Sequence, residues 1–291
     1  MSDCIYIDGK FFSQETAVVS VFDHGFLYGD GVFEGIRFYN SRIFKLDEHI
    51  ERLCKSAQAI FLAIPVDKAE LRAIVIESAK RSALENGYIR LVISRGRGDL
   101  GLDPRKCPHP SIIVIPSLLK MYPPEMYENG ISLITVPTRR NINEAINPRI
   151  KSLNYMNNII AKVEASQLGF EEAIMLSHDG YVAECTGDNI FYVTDGVLST
   201  PSSFHGALKG ITRMVVIALA KKRGITVHET TATRYDLYTA DECFLTGTGA
   251  EVVPVVRIDA RQIGGGKPGV MTASLITDFR ALVATDGVSI A

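Results

Sequence analysis

Two consecutive prolines, Pro123 and Pro124, interrupt the sequence patterns of this chain and separate an N-terminal part from a longer C-terminal part. Proline fixes its own φ angle, lacks a backbone N–H and restricts the residue before it, so we expect no regular structure around this pair. The chain has 291 residues, which is more than one hydrophobic core usually serves. We therefore predict two domains, residues 1–120 and 132–291, joined by an interdomain loop at residues 121–131.

Strand and helix patterns are mixed in both predicted domains. Alternation and turn residues predict strands at residues 5–7, 11–12, 32–39, 42–46, 88–94 and 112–115, and after the loop at residues 131–136, 173–176, 181–183, 189–193 and 242–245. Helical spacing predicts helices at residues 49–60 behind an N-cap at Asp47, at residues 67–87 behind a capping box that begins with Asp67 as N-cap, and at residues 155–168 and 213–223. This mixture indicates an α/β or mixed α+β class with mixed sheets.

The composition argues against several classes of partner. The formal net charge is −2, whereas proteins that bind nucleic acid or anionic membranes usually carry a clear basic excess. No apolar stretch approaches the ~18 residues of a membrane span, and the start of the chain lacks the apolar segment of a signal peptide. The five cysteines form no C-x-x-C pair. We therefore expect a soluble, cytoplasmic protein with reduced thiols and with no nucleic acid or membrane as partner.

A glycine-rich segment, GRGDLG at residues 96–101, matches the G-x-G-x-x-G pattern of dinucleotide-binding dehydrogenases. Such a site requires a helix to begin at the motif, so that its N-terminus faces the pyrophosphate. Prolines at positions 104, 108 and 110 prevent a helix there, so we predict a loop and reject a dehydrogenase. The six histidines show no metal-ligand spacing and no serine lies in a G-x-S-x-G elbow, so neither a metal site nor a hydrolase is indicated.

Four other features carry groups that one cofactor needs together. Lys151 stands directly before a predicted helix, and Glu184 ends a predicted strand. Residues 210–212 precede a helix whose first N–H groups can bind an anion, and the small residues at 246–249 let backbone N–H groups approach a ligand. Taken singly, each is more often an ordinary surface residue, capped helix or turn. Together they suit pyridoxal phosphate, which needs a lysine, an acid facing its pyridinium nitrogen and a phosphate cradle.

Seven segments carry a family resemblance across nearly the full length of the chain. They are YGDGVFEGIRFY (28–39), HIERL (49–53), YIRLVISRGRGDLGLDP (88–104), KSLNYMNNIIAK (151–162), GYVAECTGDNIF (180–191), LKGITR (208–213) and YTADECFLTGTGAEVVPV (238–255). With these segments the chain resembles the fold-type IV pyridoxal-phosphate enzymes, and among them the branched-chain amino acid aminotransferases. The resemblance implies a two-domain fold-type IV architecture.

The resemblance also implies residue roles. Lys151 is the expected catalytic residue, which binds the cofactor covalently and carries protons during the reaction. Glu184 is expected to face the pyridine nitrogen and Tyr155 to lie near the 3-hydroxyl group. The expected phosphate ligands are Arg52, the backbone of Ile211 and Thr212, and Thr248. The expected substrate ligands are Thr248 and Gly249 at the α-carboxylate, and Phe33, Gly35, Arg37, Tyr88 and Arg90 around the side chain, with Tyr28 at the rim and Tyr122 reaching in from the loop.

The implied reaction moves an amino group from leucine, isoleucine or valine to 2-oxoglutarate, which yields a branched 2-oxo acid and L-glutamate. We expect the apolar wall of the pocket to accept leucine, and Arg90 or Arg37 to pair with the second carboxylate of 2-oxoglutarate. The enzymes of this family are dimers or larger, so a homodimer or higher homo-oligomer is expected.

Several alternatives stay open within the same fold. They are a D-amino acid aminotransferase, an aminodeoxychorismate lyase, an R-selective amine transaminase and a non-catalytic relative that only binds a ligand. The intact VFEGIRFY and YIR segments and Tyr155 favour the L-branched-chain branch. Two departures concern substrate preference: ECTGDN replaces the commoner EGxGEN, and Gly249 stands where alanine is usual.

Overall fold

The computed structural model describes residues 3–290 of the chain. It divides into two compact units. Within the described residues, the first unit comprises residues 3–119, 150–154 and 283–290, and the second comprises residues 120–149 and 155–282. The short segment that contains Lys151 therefore folds with the first unit, although most of its sequence neighbours belong to the second.

Within residues 3–290 the chain forms sixteen strands and eight α-helices. The strands are β1 (Ile5–Ile7), β2 (Lys10–Phe12), β3 (Gly31–Tyr39), β4 (Arg42–Ile43), β5 (Gly87–Ser94), β6 (Ser111–Ser117), β7 (Ile131–Thr135), β8 (Glu172–Leu176), β9 (Val182–Cys185), β10 (Asn189–Thr194), β11 (Val197–Pro201), β12 (Val227–Thr230), β13 (Glu242–Gly247), β14 (Glu251–Ile258), β15 (Arg261–Gln262) and β16 (Val288–Ser289). The helices are α1 (His24–Tyr28), α2 (Leu46–Ala59), α3 (Lys68–Arg81), α4 (Pro124–Asn129), α5 (Met156–Gln167), α6 (Ile211–Lys222), α7 (Arg234–Tyr238) and α8 (Val270–Val283).

The described part of the first unit contains one antiparallel sheet of seven strands, in the order β16-β4-β3-β5-β6-β1-β2. Successive side chains of a strand point to opposite faces, so alternate residues of β3 share a face. On one face Val32, Ile36 and Phe38 are fully buried in the core of the unit. Ile50 and Leu53 from the apolar side of α2 belong to the same core. Helix α2 therefore covers this face of β3, and the odd-numbered residues of the strand point the other way.

The second unit contains the second sheet, which is mixed. Its strands run in the order β12-β11-β10-β13-β14-β7-β8-β9, with β15 paired to β14. The pairs β7–β8, β7–β14 and β11–β12 are parallel, and the remaining pairs are antiparallel. The predicted mixed α/β class is thus confirmed, although of the two sheets only the second is mixed, whereas mixed sheets were expected throughout. Helix α6 packs beside β13, and Thr212 and Val216 on this helix are buried.

The predicted loop at residues 121–131 is not free of regular structure. Helix α4 begins at Pro124, with Pro123 as its N-cap in an extended conformation. Proline suits the first helical position, because the N–H that it lacks has no partner inside a helix anyway. The expectation that the proline pair blocks regular structure was therefore wrong: the prolines begin a helix.

Two predicted helix boundaries also differ. Helix α2 begins at Leu46 with Lys45 as N-cap, so Asp47 lies in the first turn instead of capping it. A carboxylate there still stabilises the helix, because it faces the positive end of the helix dipole. Helix α3 ends at Arg81 rather than near residue 87, because Ala83 takes a left-handed backbone conformation with φ of 54°. The predicted N-cap Asp67 is confirmed, since its carboxylate accepts the Glu70 N–H.

Across residues 3–290, none of the helices combines the length and the apolar composition that crossing a membrane requires.

Candidate active site

Five of the predicted pocket residues share one face of the first sheet. Phe33, Gly35 and Arg37 alternate along β3, and Gly35 lies opposite Arg90 while Arg37 lies opposite Tyr88 on β5. Directly opposed residues of an antiparallel pair project to the same side. This face is the one that α2 does not cover. The fold therefore brings these five predicted residues together.

Contacts within this face are close. A Cβ atom on residue 35 would lie 2.0 Å from the Tyr88 hydroxyl oxygen, so only glycine leaves room for this tyrosine. The Arg90 guanidinium carbon lies 4.4 Å from the centroid of the Phe33 ring and 5.6 Å from that of the Tyr88 ring. A cation over an aromatic face is attracted by the ring quadrupole, so the two rings hold Arg90 on this face of the sheet.

Lys151 lies beside the same face. Its Nζ atom is 4.6 Å from the centroid of the Phe33 ring. The Phe33 N–H donates to the Lys151 carbonyl at 2.9 Å, and the Lys151 N–H donates to the Ser56 hydroxyl on α2 at 3.1 Å. Ser152 forms an isolated antiparallel bridge with Val32. The backbone around Lys151 is thus fixed along the edge of β3, and the lysine is half-buried rather than a free surface side chain.

On the opposite face of β3, the fully buried Glu34 binds Arg52 and His49 of α2. Arg52 donates from Nε to Oε1 and from Nη2 to Oε2, each at 2.7 Å, and His49 Nδ1 donates to Oε2 at 2.7 Å. Burial alone would raise the pKa of Glu34, but the charges and hydrogen bonds of Arg52 and His49 lower it to about 2. Burial lowers the pKa of His49, and although Glu34 raises it, the charges of Arg52 and Lys151 lower it further, so that it lies below its ordinary value.

Tyr28 and Arg37 each form a hydrogen bond to a backbone carbonyl outside the strands. The Tyr28 hydroxyl at the end of α1 donates to the Leu100 carbonyl at 2.5 Å. Arg37 Nη1 donates to the Leu119 carbonyl at 3.3 Å, and its guanidinium lies 5.2 Å from the Tyr39 ring centroid.

The segment 96–101 is a loop followed by a short 3-10 helix at Pro104–Lys106, so the prediction that no α-helix begins there is confirmed.

In the second unit, Glu184 on β9 is buried in a network of donors. The Arg140 guanidinium forms an ion pair with Glu184, with Nη2 2.9 Å from Oε1. The other carboxylate oxygen accepts the Asn189 amide at 3.1 Å and the Leu208 N–H at 2.9 Å. Both side chains of the ion pair are only 6% exposed, so water does little to screen it. The network holds Glu184 as a carboxylate in one orientation.

Asparagines at the start of α5 hold Arg140 in turn. Arg140 Nη1 donates to the side-chain oxygens of Asn157 at 3.1 Å and Asn158 at 2.9 Å. Tyr155 is the N-cap residue of this helix and is half-buried. The last two asparagines of the polar run NYMNN therefore have a structural explanation, because they bind the arginine that binds Glu184.

The predicted anion cradle has two parts in the second unit. Ile211 and Thr212 are the first residues of α6, where backbone N–H groups have no intrahelical partner. Thr248 and Gly249 lie in the three-residue turn between β13 and β14, where Gly247 pairs with Glu251.

Glycines at the edge of both parts are required by neighbouring side chains. A Cβ on Gly210 would lie 2.1 Å from the Asn189 side-chain oxygen. A Cβ on Gly247 would lie 1.8 Å from an oxygen of Asp188. The buried Thr246 hydroxyl has no hydrogen-bond partner among residues 3–290.

Tyr122 lies among the residues of the second unit. Its ring packs against the hydrophobic core of that unit, 6.2 Å from the Tyr127 ring centroid. Burial raises the pKa of the Tyr122 hydroxyl, and the nearby carboxylates of Asp188 and Glu172 raise it further.

Sequence analysis missed the residues that hold the predicted ones in place. They are Glu34, His49, Ser56, Arg140 and Asn189. Glu34 had a signal, because a charged residue occupies a core-facing position between Val32 and Ile36 on a strand of period two. Ser56 and Arg140 had none, since their partners Lys151 and Glu184 lie 95 and 44 positions away in the chain.

Comparison with known proteins assigns this fold to a class. A family model described as amino-transferase class IV matches residues 31–258. The fold superposes on a branched-chain amino acid aminotransferase of T.th., solved in complex with N-(5'-phosphopyridoxyl)-L-glutamate, with a TM-score of 0.91, 37% identity and coverage of 96% of this chain and 93% of that one. The architecture is thus that of an aminotransferase, as the resemblance implied. The chain belongs to the class IV aminotransferase family.

Curated relatives of two kinds are similar to the chain. A putative branched-chain-amino-acid aminotransferase of Methanocaldococcus jannaschii is 50% identical over 286 residues, which cover 98% of each chain. A D-alanine aminotransferase of Listeria monocytogenes is 37% identical over 275 residues, which cover 93% of each. Both of the main substrate alternatives raised by the sequence therefore have named relatives.

Proposed function

We propose that the chain is a pyridoxal-phosphate-dependent aminotransferase that moves an amino group between branched-chain L-amino acids and 2-oxoglutarate. The observation that carries this proposal is the position of Lys151, held at the edge of β3 with its amine 4.6 Å from Phe33, beside a wall that combines aromatic rings with Arg90. A lysine amine can bind the aldehyde group of such a cofactor, and the wall beside it suits a substrate with an apolar side chain. The similar proteins of this class support the same reaction.

The residues present fit the chemistry of the cofactor. The proposed phosphate ligands Arg52, Thr212 and Thr248 are all hydrogen-bond donors, and the first N–H groups of α6 add backbone donors of positive partial charge. Glu184 is a carboxylate held in place by Arg140, which suits a protonated ring nitrogen. Tyr155 would supply a phenol near the 3-hydroxyl group.

When bound, pyridoxal phosphate supplies an electron sink that stabilises negative charge at the substrate Cα. The part of Lys151 is to bind the cofactor covalently and then to move a proton to or from the substrate Cα as a general base and acid. Hydrogen bonds to Phe33 and Ser56 fix the backbone of Lys151, so only its side chain has to move when the amine changes position. The orientation of the Glu184 carboxylate is fixed because both of its oxygens are bound.

The wall on the first sheet accounts for two different substrates. Phe33 and Tyr88 offer aromatic surface to the side chain of leucine, isoleucine or valine. Arg90 offers a charged pair to the second carboxylate of 2-oxoglutarate or glutamate. The α-carboxylate is assigned to the N–H groups of the turn that contains Thr248 and Gly249. Tyr28 is assigned to the rim, and Arg37 lies on the same face as Arg90.

A D-amino acid aminotransferase is the second candidate, and the similarity to a D-alanine aminotransferase favours keeping it. The two reactions use the same cofactor, lysine and acid. They differ in which face of the substrate Cα meets the lysine, so a stereochemical test separates them.

A half-reaction on the purified protein tests the proposal. The holoenzyme is mixed with L-leucine, and separately with D-alanine, while its visible spectrum is followed. We expect the yellow band of the bound cofactor to bleach with L-leucine alone. Bleaching with D-alanine alone would assign the chain to the D-specific branch. Absence of a yellow band after addition of pyridoxal phosphate would leave the non-catalytic, ligand-binding alternative.

A homodimer or higher homo-oligomer stays a prediction of the resemblance, and a cytoplasmic location stays a prediction of the composition. Light scattering coupled to size-exclusion chromatography measures the assembly directly. A mass near the 31.9 kDa of one chain would contradict it.

A further inference from the structure

One side of helix α2 carries three polar residues whose hydrogen bonds reach Glu34 on β3 and the backbone of Lys151. His49, Arg52 and Ser56 recur at intervals of three and four residues, which places them along one stripe of the helix. His49 and Arg52 bind Glu34, and Ser56 accepts the N–H of Lys151. The stripe thus connects α2 to β3 and to the segment of the proposed catalytic lysine, all within the first unit.

Glu34 makes a side-on pair with Arg52. Its two oxygens accept two different nitrogens, Nε and Nη2, of the same guanidinium at 2.7 Å each. Two parallel bonds fix the plane of a guanidinium as well as its position, which a single bond does not. The third donor, His49 Nδ1, holds the carboxylate itself at 2.7 Å. The orientation of Arg52 is therefore set by a carboxylate that has no freedom of its own.

The position of Glu34 is otherwise apolar. Its neighbours on the same face of β3, Val32 and Ile36, are fully buried hydrophobic residues. A buried ion pair is often no more stable than well-packed apolar side chains of similar volume. Stability of the fold alone therefore does not require a glutamate here. A role in orienting Arg52 does require it.

We propose that Glu34 is a positioning residue, which orients the Arg52 guanidinium toward the phosphate group of the cofactor while His49 fixes the Glu34 carboxylate. The proposal rests on the proposed function, because it takes Arg52 as a ligand of the cofactor phosphate. Glu34 itself does not contact the cofactor in this scheme. Its effect should therefore appear only for ligands that carry the phosphate.

The test compares two ligands that differ only in that group. The cofactor-free full chain is titrated with pyridoxal 5'-phosphate and with pyridoxal, and the dissociation constants are measured by equilibrium dialysis. For Glu34→Gln we expect the affinity for pyridoxal 5'-phosphate to fall about tenfold or more, and that for pyridoxal to change less than about threefold. Glu34→Asp keeps the charge and should lose less than Glu34→Gln.

Two results would overturn the proposal. A parallel loss for both ligands would mean that Glu34 only supports the fold. A gain in affinity for pyridoxal 5'-phosphate in Glu34→Gln would mean that Glu34 merely neutralises the charge of Arg52.

Glu172→Gln is the matched control, because Glu172 is another buried, hydrogen-bonded carboxylate that lies in the second unit. For this control we expect no difference between the two ligands.

A double-mutant cycle with Arg52→Lys shows whether Glu34 acts through Arg52. If it does, Glu34→Gln changes the ratio of the two affinities little once Arg52 is replaced. If the losses in affinity caused by Glu34→Gln and Arg52→Lys simply add in the double variant, Glu34 does not act through Arg52. Failure of this proposal and failure of the proposed function give different results. If the unmodified protein binds neither ligand, the proposed function itself is overturned. If Arg52→Lys leaves the ratio of the affinities for pyridoxal 5'-phosphate and pyridoxal unchanged, only the phosphate role of Arg52, and with it the role of Glu34, is overturned. If Glu34→Gln does not fold, Glu34→Asp carries the same comparison.

Discussion

Arg140 and Glu184 form an ion pair inside the second unit, with Nη2 2.9 Å from Oε1 and each side chain 6% exposed. The arginine comes from the loop after β7 and the glutamate from β9. A buried charge that loses its partner is strongly destabilising, because the desolvated group has no other source of compensation. The pair therefore has consequences for stability as well as for the proposed orientation of Glu184.

Replacement of Arg140 by glutamine should weaken the second unit markedly. We expect a loss of about 3–5 kcal/mol in the free energy of unfolding, because Glu184 stays buried without its cation. Arg223→Gln is the control, since Arg223 bonds Asp278 at 2.8 Å but is 43% exposed, and such pairs contribute about 0–1 kcal/mol. Calorimetry on the cofactor-free protein measures both. Equal shifts of the melting midpoint would contradict the assignment of Arg140–Glu184 as the stronger pair.

The stability of the protein should fall in acid in two stages. The pKa of His49 in the folded protein is lowered from its ordinary value of 6.5, so the unfolded chain takes up that proton first and stability declines below about pH 6.5. The pKa of Glu34 is lowered from 4.5 to about 2, so its contribution is complete above pH 4.5 and is lost as pH falls toward 2. A shift of this size corresponds to roughly 3 kcal/mol.

Urea unfolding of the cofactor-free protein between pH 8 and pH 3 measures this dependence. Glu34→Gln removes the second stage, so the variant should show a smaller decline than the natural chain below pH 4.5. Identical pH slopes for the two proteins would refute the assignment to Glu34.

Gly35→Ala should impair substrate binding without removing the cofactor. The added Cβ would lie 2.0 Å from the Tyr88 hydroxyl oxygen, so Tyr88 must leave its position on the proposed side-chain wall. We expect the KM for L-leucine to rise about tenfold or more, a loss of at least ~1.4 kcal/mol in binding. Gly265→Ala is the control, because a Cβ there meets no atom within 4 Å. An unchanged KM in Gly35→Ala would show that Tyr88 does not contact the substrate.

Arg90→Gln should separate the two substrates. Arg90 lies over Phe33 in the middle of the wall, whereas Arg37 donates to the Leu119 carbonyl at 3.3 Å near its end. We expect Arg90→Gln to lower kcat/KM for 2-oxoglutarate at least about tenfold, with less than about a threefold effect on L-leucine, because only the oxo acid brings a second carboxylate. Arg37→Gln serves as the matched comparison. Equal losses for both substrates in Arg90→Gln would remove the carboxylate role.

Much of the local structure followed from the sequence, and the exceptions have a common cause. The strands β1, β2 and β3 and the N-cap Asp67 depend on residues that are neighbours in the chain, and each was predicted. The proline pair was misjudged because proline has opposite effects inside a helix and at its first position. Which of these applies depends on where the helix begins, and proline alone does not reveal that.

In the candidate site too, the predicted residues are those with a local sequence signal. Lys151 and Glu184 were recognised from motifs that surround them in the chain, and their roles stay predictions of the family resemblance. The side chains that hold them were not recognised, because the Lys151–Ser56 and Arg140–Glu184 bonds join residues 95 and 44 positions apart. Short motifs carry no information on such pairs.

The sequence by itself determined the class of fold, many of its strands and helices, the family and the residue types that a cofactor of this chemistry needs. These follow from periodicity, turn residues and motifs, each of which is set by nearby residues. Only the tertiary structure decided that Phe33, Gly35, Arg37, Tyr88 and Arg90 share one face, that Lys151 lies along β3, and that Glu34 and Arg140 hold Arg52 and Glu184. Strand register and the pairing of buried charges are set by packing between distant segments, which settles only when the chain folds as a whole.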